Sequence, residues 1–308
     1  MIAAYKAFNL YQKAVLQLIL AASIWGFSFV CALWALEDFS TSTLIFWRFL
    51  FAFIFGEILY FFYNSKNQEN SNSDKKLSIF SGCALGLSLL FQTHGLHYTT
   101  ATKSSFITSL YVVLIPFAGF IFFKKQIKFY HLLFGFFAFV GMGFLLNLNP
   151  YQDLNFNWGD FLTLGCSITS TFHILFVSST SQKVKSSFRF NVYQTLWALV
   201  IILPFLVYEI NYKGILIWPE TIHLKSILGL LFLSGFVTLI AFSLQIMAQK
   251  NLTSTTTSLL CLLEAPFAFM FSFLILGEKL LVFQIFGVLL ILASSCLSVY
   301  VDRPKEGC

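Results

Sequence analysis

Ten apolar blocks of about twenty residues follow one another along the chain. They cover residues 14–34, 41–63, 77–99, 101–123, 128–148, 158–181, 190–210, 224–249, 254–276 and 280–301. A helix of ~20 residues is long enough to cross the ~30 Å hydrocarbon core of a bilayer. The blocks are continuously apolar instead of alternating, which argues against the strands of a membrane barrel. The pattern predicts an all-α integral membrane protein with ten transmembrane helices.

The scarcity of charge supports this prediction. Only 10% of the 308 residues are charged and 58% are hydrophobic, whereas a soluble domain carries about 25% charged residues. The first block is too long for a cleaved signal peptide, and nine further blocks follow it. We therefore expect a lipid bilayer, and not water, to surround most of the chain.

The distribution of Lys and Arg predicts the orientation. If the N-terminus is cytoplasmic, 14 of the 19 basic residues fall on the cytoplasmic side and four on the outer side, with Arg48 inside a block. This asymmetry follows the positive-inside rule. It predicts a multi-pass protein of the cell inner (plasma) membrane with both termini cytoplasmic. It also explains the net charge of +6 without nucleic-acid binding.

The chain contains an internal repeat. Residues 98–125 and 252–279 both begin with a Thr/Ser cluster, continue through an apolar helix with one proline, and end in a short polar or charged pair. Pro116 and Pro266 are expected to kink these helices at different depths. The offset is half the chain, which predicts two five-helix repeats, residues 1–150 and 151–308. Because five is odd, the second repeat is inverted, an arrangement that recurs in transporters that work by alternating access.

Several stretches together resemble one transporter family. They are "SIWGFSFV", "WRFLFAFIF", "GLHYTTATKSSFITSLYVVLIPF", "GDFLTLGCSITSTFHILFV" and "AQKNLTSTTTSLLCLLEAPFAFMFSFLILGEKL". The chain resembles the EamA-type ten-helix branch of the drug/metabolite transporter (DMT) superfamily from its first span to its tenth. This resemblance implies secondary transport of amino acids or other small metabolites, often outward. It does not identify the cargo, because the substrate differs between members.

Glu264 is the most constrained polar residue of the ninth block. It shares one helical face with Thr257, Cys261 and Ala268, and a carboxylate at this depth costs ~2.5–3.5 kcal/mol unless it is paired or protonated. One interpretation is proton coupling or substrate contact. The other is a buried hydrogen bond that stabilises the kink at Pro266, which the resemblance favours because a Leu-Glu pair just before a proline, here "LEAP", looks like a shared family feature.

Other polar or aromatic side chains lie deep enough to line a substrate pathway. They are Trp25, Arg48, Gln92, Ser105, Thr108, Ser109, Tyr111, His173 and Gln245. Each has a structural alternative. Arg48 either attracts an anionic cargo or extends toward the surface, and the span 4 hydroxyls either face a ligand or form a seam of small residues. His173 is either a proton relay or a core residue, and Trp25 either lines the cavity or packs.

The sequence favours a secondary transporter that moves a small organic metabolite, preferably an amino acid, without ATP hydrolysis. Exchange of a nucleoside-like metabolite such as S-adenosylmethionine is the alternative cargo, and a membrane-embedded lipid-modifying enzyme is the alternative class. No P-loop, dinucleotide-binding or H-E-x-x-H motif occurs, so we expect neither enzymatic activity, nor a cofactor, nor a metal. The expected partners are a small-molecule substrate and the bilayer, with the protein a monomer or homodimer.

Overall fold

A computed structural model describes residues 8–64, 72–96, 98–99, 101–148, 156–276 and 281–304. Ten helical spans follow in chain order: span 1 Leu10–Leu36, span 2 Thr41–Asn64, span 3 Ile79–Leu96, span 4 Ala101–Ser109 with Tyr111–Phe123, span 5 Phe129–Leu145, span 6 Trp158–Thr180, span 7 Ser187–Lys213, span 8 Leu224–Ala248, span 9 Ser254–Cys261 with Glu264–Phe271 and Ser272–Leu276, and span 10 Val282–Val301. A short helix, Asn72–Leu77, precedes span 3, and a 3₁₀ turn, Ser181–Lys183, follows span 6.

Eight of these helices are long and apolar enough to cross a membrane, and Phe129–Leu145 is a shorter apolar helix of 17 residues. Span 3 has 18 residues. Large apolar side chains are exposed on the outside of the bundle, among them Phe61, Phe129 and Val282. A protein in water would bury such a surface, whereas lipid tails solvate it. The prediction of a ten-helix membrane protein is confirmed.

Each span of the first half corresponds to the span five places later in the second half. Corresponding spans have corresponding packing partners. Span 3 packs along span 6 as span 8 packs along span 1, and span 4 packs on span 6 as span 9 packs on span 1. Spans 5 and 10 pair with each other, as do spans 2 and 7 and spans 4 and 9. We call spans 3, 4 and 6 bundle A, and the corresponding spans 8, 9 and 1 bundle B. The fold is therefore two inverted five-helix repeats.

Glycines let the backbones approach closely inside each bundle. In bundle A, a Cβ on Gly159 would lie 2.6 Å from the carbonyl oxygen of Gly95. In bundle B, a Cβ on Gly229 would lie 2.4 Å from the carbonyl oxygen of Cys31. Lipid provides no hydrophobic force between helices, so this close backbone contact is a main source of their attraction.

Spans 4, 8 and 9 depart from regular α-helix. Span 4 is interrupted at Leu110, while Pro116 lies within the continuous helix that follows. Span 9 is interrupted at residues 262–263, three residues before Pro266. Span 8 contains a π-helical segment, Leu233–Ala241. π-Helical turns are rare and often occur at functional sites, and broken helices in membranes line protein or water-filled space.

Candidate substrate-binding site

Phe242 of span 8 is at the centre of a group of aromatic and polar side chains. The ring of Trp25 from span 1 lies 5.3 Å from it and the ring of His173 from span 6 lies 5.8 Å from it. His173 Nε2 is 3.1 Å from Oε1 of Gln194 in span 7. Two residues predicted to line the pathway, Trp25 and His173, therefore meet on the same ring, one from each bundle.

Asn191 of span 7 extends this group along span 8. Its Nδ2 donates to the carbonyl oxygens of Thr238 (2.8 Å) and Leu239 (3.0 Å) and lies 3.1 Å from Ser243 Oγ. Gln194 Nε2 donates in turn to Asn191 Oδ1. In a regular α-helix, the carbonyls of Thr238 and Leu239 would accept hydrogen bonds from the helix backbone. In the π segment of span 8 they accept from Asn191 instead, so the buried Asn191 and the irregular helix depend on each other. Asn191 and Gln194 were not predicted from the sequence, although two amide side chains three residues apart in an apolar span are a signal that could have identified them.

Arg48 reaches this group from span 2. Its Nε donates to Thr238 Oγ1 at 2.9 Å, and Thr238 is fully buried. The guanidinium therefore extends into the protein and does not extend along the lipid toward the surface. Within the described part of the chain, the two terminal nitrogens of Arg48 form no hydrogen bond and no ion pair.

A second polar group lies inside bundle A. The hydroxyl oxygens of Ser88 in span 3 and Ser170 in span 6 are 2.6 Å apart, and Ser88 Oγ is 3.4 Å from Cys166 Sγ. Thr108 of span 4 lies 3.8 Å from the same sulfur. Cys166, Ser170 and His173 occur at steps of four and three residues, so one face of span 6 connects this group to the first.

Glu264 is the first residue after the break in span 9. Its carboxylate interacts electrostatically with the phenol of Tyr111 and the thiols of Cys166 and Cys261. It forms no hydrogen bond or ion pair with any described residue. The hydrogen bond that would make Glu264 a brace for the kink at Pro266 is therefore absent among those residues.

The side chain of Glu264 is half-buried and does not line the apolar groove beside span 9. A lipid-facing apolar groove of about 870 Å³ runs between spans 1, 9 and 10, and its lining includes Leu263, Pro266 and Phe267 but not Glu264. Tyr111 and Cys166 belong to bundle A, so Glu264 of bundle B lies close to residues of the other bundle. The first part of span 9, residues 254–263, is wholly buried.

The hydrogen bonds that join the bundles lie toward one membrane face, which we call the N-side because it contains the start of span 1. Lys125 Nζ, at the end of span 4, donates to Ser178 Oγ (2.8 Å) and to Ser254 Oγ (3.2 Å). Ser181 Oγ donates to the carbonyl oxygen of Gln249 at 3.1 Å, and Gln182 donates to that of Lys250. Burial lowers the pKa of Lys125.

At the opposite face, the far side, each bundle contains an internal ion pair, and Glu209 at the end of span 7 forms two further pairs, with His94 and Lys213. In bundle A, Lys103 Nζ is 2.6 Å from Oδ2 of Asp160. In bundle B, Asp38 is 2.8 Å from Nδ1 of His223. The Ser226 hydroxyl and the backbone and side chain of His223 lower the pKa of Asp38 to about 2, and the hydrogen bond with Asp38 raises the pKa of His223. Each bundle is thus tied together at the far side.

The remaining predicted pathway residues are placed differently. Ser109 Oγ donates to the carbonyl oxygen of Phe106 in its own helix at 2.6 Å. Gln92 and Ser105 are half-buried and form no hydrogen bond within the described ranges. Gln245 is buried, and its Oε1 has no hydrogen-bond partner among the described residues. The structure brings Trp25, Arg48 and His173 together around span 8, and Thr108, Tyr111 and Glu264 together at the bundle interface.

Comparison with known proteins supports the fold and the class of protein. The model of the "EamA-like transporter family" matches residues 12–147 and 157–300. An "uncharacterized transporter" of Archaeoglobus fulgidus is 32% identical over 279 residues, which is 91% of this chain and 83% of that protein. A solved structure titled "Crystal structure of protein" aligns with a TM-score of 0.76 over 96% of this chain and 99% of its own, at 12% identity. That likeness shows the fold alone.

Proposed function

The chain belongs to the EamA-like transporter family, and we propose that it carries an amino acid across the membrane by alternating access without ATP hydrolysis. The observation that supports this proposal is Glu264, a carboxylate of bundle B with no protein partner among the described residues, which lies close to residues of bundle A. An unpaired intramembrane carboxylate is costly and is commonly functional. The ammonium group of an amino acid, or a proton, offsets that cost.

The arrangement of the bundles supplies the second part of the proposal. Bundle A and bundle B are related by the exchange of the two repeats, so each can adopt the packing of the other. The N-side hydrogen bonds from Lys125, Ser181 and Gln182 then break in one state and form in the other. The Lys/Arg asymmetry assigns the N-side to the cytoplasm of a cell with the protein in its inner (plasma) membrane.

The transport experiment uses the full-length protein in liposomes. Uptake of labelled amino acids, and of S-adenosylmethionine as the alternative cargo, is measured with and without a pH gradient. We expect at least one amino acid to move down its gradient. If no solute moves while the lipids are chemically altered, the protein is a lipid-modifying enzyme and the transporter proposal is rejected.

The role of Glu264 is tested by Glu264→Gln in the same liposomes. The amide cannot titrate, so the pH dependence of uptake should be lost. Exchange of substrate should continue, at a higher half-saturation concentration where the ammonium group of the substrate has lost its counter-charge. Glu220→Gln, at an exposed position between spans 7 and 8, is the control for loss of one negative charge and should keep the wild-type pH profile. An unchanged pH profile in Glu264→Gln would reject coupling at this residue.

A further inference from the structure

Two hydrogen-bond donors near the first polar group have no acceptor among the described residues. The indole Nε1 of Trp25 is buried and unpartnered, and the Trp25 side chain as a whole is only 8% exposed. Arg48 uses Nε on Thr238, which leaves both terminal nitrogens of its guanidinium without a described acceptor. A buried donor without an acceptor, such as Nε1 of Trp25, is uncommon because it costs about the free energy of a lost hydrogen bond. The Arg48 side chain is only partly buried.

Both donors approach the same turn of span 8. Arg48 contacts Thr238, and Trp25 contacts the ring of Phe242, four residues further along. Side chains four residues apart on a helix are neighbours, with Cβ atoms about 5–6 Å apart. The hydrogen bond to Thr238 fixes the Nε edge of the guanidinium, so its other nitrogens present a positioned set of N–H groups beside span 8.

Glu264 belongs to span 9, which packs on span 1 beside Trp25. Gly26, the next residue in span 1, crosses span 9 so closely that a Cβ on it would be 2.5 Å from Cβ of Phe267 and 2.7 Å from the backbone nitrogen of Ala268. Ala268 is one turn beyond Glu264. Arg48 and Glu264 form no ion pair within 4 Å among the described residues, so neither group serves as the counter-charge of the other there.

We propose that Arg48 and Trp25 form a carboxylate subsite, and that the transported solute is a zwitterion that spans the space between this subsite and Glu264. The carboxylate accepts hydrogen bonds from the guanidinium of Arg48 and from Nε1 of Trp25, and the ammonium group is directed toward the carboxylate of Glu264. Guanidinium binds carboxylate through two parallel N–H···O bonds, a geometry that an ammonium ion cannot reproduce. This inference rests on the proposed function and specifies which groups of the substrate are recognised and where.

Ligand-induced stabilisation tests the subsite independently of transport. The unfolding temperature of purified protein in detergent is measured with three forms of each amino acid: the free acid, its amide, which lacks the carboxylate, and the deaminated acid, which lacks the ammonium group. A ligand that binds the folded state raises this temperature with its concentration. We expect the free acid to stabilise the wild type most strongly and the amide to have the smallest effect.

Variants identify the residues responsible. Arg48→Gln removes the guanidinium, Arg48→Lys keeps the charge without the planar fork, and Trp25→Phe removes only the N–H and the second ring. Loss of charge-assisted hydrogen bonds should raise the dissociation constant for the free acid by about 10- to 100-fold in Arg48→Gln, with smaller increases in the other two. The controls are Arg303→Gln, at the end of span 10, and Trp218→Phe, at the far side, and both should bind as the wild type does.

Each outcome decides the question. The subsite is supported if the preference for the acid over the amide is present in the wild type and reduced in the Arg48 and Trp25 variants. It is overturned if the amide stabilises the wild type as well as the acid, if no carboxylate stabilises it, or if the variants keep the wild-type preference. Should Arg48→Gln show no unfolding transition, Arg48→Lys and Trp25→Phe decide the result. Liposome transport of a solute without a carboxylate would overturn the subsite and leave the carrier intact, whereas absence of all transport rejects the proposed function itself.

Discussion

Three side chains of span 4 that the sequence grouped as possible ligand contacts lie in three different environments. Ser109 donates to a carbonyl of its own helix, as hydroxyls in apolar helices commonly do. Thr108 lies beside the sulfur of Cys166. Tyr111 is buried, interacts electrostatically with Glu264, and its hydroxyl forms no hydrogen bond to a described residue. Of these three side chains, Tyr111 is the one whose hydroxyl is unused among the described residues and lies close to Glu264.

A matched pair of substitutions separates these roles. Tyr111→Phe removes an unused hydroxyl beside Glu264 and should raise the half-saturation concentration for substrate by roughly 2- to 10-fold, the value of one hydrogen bond. Ser109→Ala removes a hydroxyl that is already hydrogen-bonded within its own helix. It should change the half-saturation concentration by less than about twofold. Counterflow in liposomes measures both. Equal effects from the two substitutions would show that Tyr111 only packs.

At the scale of helices, spans 5 and 10 form the tightest pair outside the two bundles. A Cβ on Gly287 would lie 2.4 Å from the backbone nitrogen of Leu145 and 2.5 Å from the carbonyl oxygen of Gly141. These neighbours are backbone atoms and cannot rotate away. Span 5 is also short, at 17 residues, so its position depends on this crossing more than on its own hydrophobic length.

Gly287→Val should therefore push span 10 away from span 5. Overpacking of this kind typically costs about 1–3 kcal/mol, and the unfolding temperature in detergent should fall accordingly. Gly235→Ala is the control, because a Cβ at Gly235 meets no atom within 4 Å. It should leave the unfolding temperature unchanged or raise it slightly, since alanine restricts the unfolded chain. A fall of similar size in both variants would contradict a specific contact at Gly287.

At the scale of the whole molecule, polar contacts at the N-side join bundle A to bundle B, whereas the ion pairs of Asp160 and Asp38 at the far side join spans of the same bundle. Between described residues, the hydrogen bonds from bundle A to bundle B involve Lys125, Ser181, Gln182, Gln249 and Lys250, all toward the N-side. The far-side ion pairs of Asp160 and Asp38 each stay within one bundle. The structure thus represents a state in which the bundles are held together at the N-side.

Cross-linking the N-side should arrest transport. Ser178 Oγ and Ser254 Oγ both bind Lys125 Nζ, at 2.8 and 3.2 Å, so the two serines are within reach of a short thiol-specific linker. In the double variant Ser178→Cys and Ser254→Cys, a cleavable linker should abolish uptake, and reduction should restore it. The two single variants control for reaction at native cysteines. Full uptake by cross-linked protein would show that the N-side does not open during transport.

The positions of the spans could be predicted from the sequence far better than the contacts between spans. Apolar blocks locate helices because lipid penalises every unsatisfied backbone group, whatever the tertiary structure. The same reasoning could not tell that span 4 breaks at Leu110 and not at Pro116, because that break depends on neighbouring helices. It also missed Asn191 and Gln194, whose importance comes from contacts with span 8 and span 6.

The sequence by itself determined that this chain crosses the membrane ten times in two related halves, and that it carries a carboxylate and a guanidinium at depths where lipid would not tolerate them. The cost of charge and of bare peptide groups in hydrocarbon is a local property, so it can be read one segment at a time. Tertiary structure alone decided that Arg48 turns inward to Thr238, that Glu264 avoids the lipid groove, and that the two charges stay apart. Those outcomes depend on how close helices from different halves approach, which no single segment encodes.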